Sequence, residues 1–79
     1  MPLLSPVPIN EAVYRALRDQ LMRGDFAAGQ NLGIEELALA MNTSTMPVRA
    51  ALQRLAEQRA VERNRSRSMQ VPLLSIERL

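Results

Sequence analysis

The chain has 79 residues, 47% of them hydrophobic, with no Cys and no His. That length suits one small domain with a modest core, and the composition excludes a disulfide framework, a thiolate metal site and histidine-based acid–base chemistry. The formal net charge of +2 conceals a split, because residues 1–44 hold three Arg against five acids and residues 45–79 hold seven Arg against three.

Residues 1–8 carry three prolines and no helical period, which predicts a flexible N-terminal arm. They lack the basic-then-apolar order of a signal peptide, and no apolar run is long enough to span a membrane, so a cytoplasmic location is expected. Over 9–23 the apolar positions Ile9, Val13, Ala16, Leu17 and Leu21 follow a helical period, with Asn10 as cap, Glu11 at the positive end and Gly24 as stop. Tyr14 and the scattered acids fall on ordinary helix surfaces or caps. Residues 24–29 (GDFAAG) form a tight connection in which Phe26 plugs the core edge.

Residues 30–32 suit a strand of two or three residues, after which Gly33 lets the chain turn. A short second helix over 34–41 places Leu37, Ala38 and Met41 on one face and Glu35 and Glu36 in the first turn, where acids suit the helix dipole. Asn42 is one of the few non-glycine residues that tolerates a left-handed conformation, as a helix-turn-helix connection this short requires.

The third helix, about 44–58, organises the rest. Ser44 can cap it through its side chain, and Pro47 falls in the first turn, where its missing N–H costs nothing. Val48, Ala51, Leu52 and Leu55 share one face, while Arg49, Gln53 and Arg54 point elsewhere. An apolar underside, a short polar N-terminus and an outward Arg one turn in have the form of a helix that lies in the DNA major groove. Residues 60–63 and 69–71 then read as two strands around a turn at 64–68 (NRSRS), closed by Pro72. Arg63, Arg65 and Arg67 alternate there with short polar residues, a pattern suited to a phosphate backbone or minor groove; an ordinary solvated hairpin would carry it too. Every basic residue is Arg, whose planar fork bonds a phosphate or a guanine edge in bidentate fashion, although the base composition of a genome would produce the same bias.

Val13-Tyr14 with Leu17-Arg18, the 26–30 segment FAAGQ followed by Leu32, Glu36-Leu37-Ala38, the 44–52 run STMPVRAAL and Val61-Glu62-Arg63 together resemble the N-terminal domain of GntR-family bacterial transcription regulators. The FadR-type branch is the nearest likeness. The resemblance implies a mostly α fold with a small β-wing, a winged helix-turn-helix of three helices plus a two- to three-stranded antiparallel sheet over 9–72. It further implies double-stranded DNA as partner and a homodimer in the full-length protein. Residues 73–79 resemble the start of a linker to a missing C-terminal effector domain, as in a fragment or a truncated relative. A small organic acid or a metal would bind that absent domain, and no cofactor is expected in this chain.

Carried over by position, the resemblance implies that Ser44, Thr45 and Met46 hold phosphate and base edges and that Arg49 reads a base or clamps a phosphate. It places the wing residues Arg63, Arg65, Ser66, Arg67 and Ser68 on backbone or minor groove. Four positions depart from the family pattern: Glu35 and Thr45 stand where the family has Arg, Met46 where it has Thr, and Ser68 where it has Gly. Two lost cations imply a flatter salt dependence, by on the order of two phosphate contacts. Met46 either meets a thymine methyl group or covers apolar surface, the second being the expectation. The alternative is a winged-helix protein-interaction or dimerisation module with weak or no specific DNA binding. An enzyme is not expected, since no titratable pair suited to acid–base or nucleophilic work is visible.

Overall fold

In the computed structural model, residues 8–66 and 68–73 are described. They form helices α1 (Ile9–Arg23), α2 (Ile34–Ala40) and α3 (Thr45–Glu57) and strands β1 (Asn31–Leu32), β2 (Glu62–Arg63) and β3 (Met69–Gln70). Residues 1–7 of the arm expected over 1–8, the wing residue Arg67 and residues 74–79 of the linker expected over 73–79 lie outside the described residues.

Helix α3 is the centre of the core. Its Val48, Ala51, Leu52 and Leu55 are all buried, as their spacing predicts, and they pack with Val13, Tyr14 and Leu17 of α1 and Ala38 of α2. Phe26, Leu21 and Leu37 pack half-buried against this cluster, so Phe26 is a core plug. The inward face of α1 differs from the expected one. Tyr14 is buried and only 5% exposed, while Ile9 and Ala16 face solvent, because α3 crosses α1 nearer the Tyr14 side.

The caps also differ. Pro8, and not Asn10, occupies the cap of α1, and its carbonyl accepts the Ala12 N–H at 2.9 Å. At α3 Ser44 holds the cap position with extended backbone, but its side chain bonds no backbone N–H. Gly33 turns the chain at φ −75°, a conformation open to any residue, so no glycine is required there.

Each helix ends through a left-handed residue, directly after α1 and one residue further on after α2 and α3, and two backbone N–H groups bond back into the last turn. Gly24 (φ 78°), Asn42 (φ 56°) and Arg59 (φ 63°) hold these three positions. At Arg59 the bonds are Arg59 N–H to Ala56 carbonyl, 3.0 Å, and Ala60 N–H to Leu55 carbonyl, 2.9 Å.

The strand of residues 31–32 does find its partner. The sheet order is β1-β3-β2, all antiparallel, with Leu32 and Arg63 both opposite Met69. Bonds of 2.9 Å from Gly29 N–H to Val71 carbonyl and from Val71 N–H to Gln30 carbonyl extend the β1–β3 pairing. Leu32, Val61, Met69 and Val71 seal the sheet side of the core. Three helices with this small antiparallel sheet are a winged helix-turn-helix.

Candidate nucleic-acid interface

Helix α3 presents its outer face because its inner one is pinned. Pro47 and Val48 are both buried, which seats the first turn on the core and leaves Thr45, Met46 and Arg49 turned outward. Thr45, Arg49 and Gln53 recur every four residues and form one wall of an open groove of about 710 Å³; Arg63 and Ser68 of the wing and Glu35 of α2 also line it.

The wing tip is built by one side chain. Asn64 Oδ1 accepts the backbone N–H of Ser66 at 2.9 Å and of Ser68 at 3.0 Å, and its own N–H donates to the Ser68 carbonyl at 2.8 Å. The Asn64 amide also donates to Asn31 Oδ1 at 3.0 Å, which ties the tip to β1. An Asn therefore supplies the turn with no glycine, because its amide oxygen replaces the backbone acceptors that a tighter turn would provide.

Charge is distributed unevenly over this scaffold. Arg15, Arg18, Arg23 and Arg54 are ion-paired with acids in and just after α1. Among the described residues Arg49, Arg59, Arg63 and Arg65 make no ion pair, and Arg49 and Arg63 line the groove. Arg54 is not part of the outward basic side. Its guanidinium donates to Glu11 at 2.9 Å and lies 3.8 Å from the centre of the Tyr14 ring. That hydrogen bond first, and the positive charges of Arg54 and Arg15 with it, hold the Glu11 carboxyl below the usual carboxylate range. Tyr14 is not a surface residue either: its hydroxyl donates to Gln58 at 2.8 Å, so a polar clamp joins α1 to the end of α3.

Of the residues expected at the interface, Thr45, Arg49, Arg63 and Ser68 come together in the groove. Ser44, Met46, Arg65 and Ser66 are exposed. Met46, at 68% exposure, does not cover apolar surface, because Pro47 and Val48 already fill the space beneath that turn. Gln53 and Asn31 also line the groove, though neither was singled out. Four-residue spacing from Arg49 signals Gln53, whereas Asn31 has no local signal, since only the β1–β3 pairing brings it beside the wing. Among the described residues no group of three or more acids could hold a metal, and no helix is long and apolar enough to cross a membrane.

No curated protein matches this chain. Among solved structures it is similar to a transcriptional regulator, a GntR family member, from Pseudomonas syringae pv. tomato, with a TM-score of 0.75 and 28% sequence identity over 85% of this chain. The chain spans 28% of the length of that regulator. A family model for bacterial regulatory proteins of the gntR family matches residues 9–71. The chain therefore belongs to the GntR family of bacterial regulatory proteins, a class of DNA-binding transcription regulators and not of enzymes.

Proposed function

We propose that this chain is the sequence-reading DNA-binding domain of a cytoplasmic GntR-type regulator of the FadR-type branch. Helix α3 lies in the major groove with Thr45 and Met46 at the duplex, Arg49 reads a guanine edge or clamps a phosphate, and Ser44 holds the backbone. The wing, through Arg63, Arg65, Ser66, Arg67 and Ser68, rests on backbone or minor groove. One observation carries the reading: Arg49 of the helix and Arg63 of the wing line a single groove with no acid among the described residues paired to either, while half of the described Arg residues are ion-paired at α1. Unpaired cations on two elements that frame one concavity match a backbone passing between them.

In the full-length protein two such heads act as a two-fold dimer on an inverted repeat. A C-terminal domain that takes a small organic acid or a metal would change the separation of the heads, so that promoter occupancy responds to the effector. The exposed Met46 and the unpaired Glu35 favour a second reading, a protein-interaction module. Selection from a pool of random duplexes, with a salt titration, separates them. The DNA reading expects enrichment by wild type that Arg49→Ala loses, and affinity that falls steeply with salt; equal enrichment by both proteins removes specific readout by Arg49, and salt-insensitive association removes DNA as the partner.

A further inference from the structure

Glu35 is the second residue of α2, exposed, and among the described residues it takes part in no ion pair or side-chain hydrogen bond. It lines the same groove as Arg49 and Thr45. An acid in the first turn suits the helix dipole, and both Glu35 and Glu36 stand there. Glu35 is thus a second, unpaired carboxylate turned to the face where a polyanion would have to approach.

Resting on the DNA reading above, we propose that Glu35 is a specificity determinant that selects a cytosine in the half-site that Arg49 contacts. A carboxylate only accepts hydrogen bonds. Phosphate oxygens, guanine O6 and N7, and thymine O4 are acceptors as well, so Glu35 is repelled by the backbone and by those base edges. Cytosine presents its N4 amino donor with no acceptor on the same base edge, whereas adenine N6 sits beside N7. Arg49 and Glu35 in one groove therefore offer a cation and an anion to the complementary edges of guanine and cytosine.

The test is selection from random duplexes at low salt with wild type, Glu35→Ala, Glu35→Gln and Glu35→Arg, each checked for an unchanged circular dichroism spectrum. Wild type should favour cytosine at one half-site position by about fivefold or more. Glu35→Gln should move that position toward adenine, whose N6 and N7 suit an amide, and Glu35→Arg toward guanine with a log–log salt slope steeper by about one. Glu35→Ala should lose the preference at that position alone. Identical base distributions in all four proteins would overturn the proposal while leaving the DNA reading intact. So would a uniform gain in affinity by Glu35→Ala with no change at any single position, which makes the acid a general electrostatic brake. No enrichment by wild type at any position overturns both readings together.

Discussion

Arg59 tests the backbone logic of the fold, because it holds at the end of α3 the left-handed conformation that Gly24 holds at the end of α1. For a residue with a Cβ that conformation costs about 1–2 kcal/mol, whereas glycine adopts it freely but loses about 0.5–1 kcal/mol more backbone entropy on folding. The side chain of Arg59 is exposed and makes no ion pair or side-chain hydrogen bond among the described residues, so its removal forfeits nothing there. Arg59→Gly should therefore stabilise the domain by about 0.5–1 kcal/mol, which for a chain of this size raises Tm by roughly 2–8 °C. Gly24→Ala is the mirror experiment. Nothing lies within 4 Å of the added Cβ, so its expected loss of about 1 kcal/mol is purely conformational. Asn42→Gly should fall between them, within about 0.5 kcal/mol of wild type, since Asn tolerates the conformation. Thermal and urea melts followed by far-UV circular dichroism read all three. A neutral or destabilising Arg59→Gly beside a destabilising Gly24→Ala would refute the reasoning.

Leu55→Ala, at a fully buried side chain of α3, should cost about 2–5 kcal/mol in a urea melt, and a loss below 1 kcal/mol would mean that the site collapses around the gap. The Glu11–Arg54 pair favours the ionised acid in the folded state, so its stabilisation is fully present above the unfolded carboxyl pKa and is lost as pH falls through the lower folded one. Glu11→Gln should flatten that acid limb of a Tm-against-pH curve while leaving its slope at neutral pH unchanged. Asn64→Ala removes the acceptor for two wing-tip amides and should cost about 1 kcal/mol locally. Hydrogen exchange should then quicken at Ser66 and Ser68 with α1 and α3 unaltered, and an unaltered rate at both amides would show that the backbone bond to Ser68 suffices.

Local rules made much of this protein legible from its residues. The four-residue recurrence of Val48, Ala51, Leu52 and Leu55 defined both faces of α3, since a helical period depends only on neighbours along the chain. Gly24 and Asn42 marked helix ends, and the run from Asn64 to Ser68 marked a turn, because those conformations are set by individual side chains. Arg49 was outward by elimination once the apolar face was known. Arg59 escaped notice because nothing in its side chain favours a left-handed backbone; α3 stops there since Ala60 and Val61 must fold back onto the core.

Tertiary structure alone decided which charges remain available. Arg54 and Arg49 look equivalent in the sequence, yet the crossing of α1 over α3 brings Glu11 and the Tyr14 ring to Arg54, while Arg49 has no ion-pair partner among the described residues. The same packing placed β3 between β1 and β2 and so brought Asn31 and Arg63 to one groove, thirty-two positions apart in the chain. Periodicity reports which side of an element is buried; which partner waits on the other side depends on the angle at which elements meet, and that is set by side chains distant in sequence.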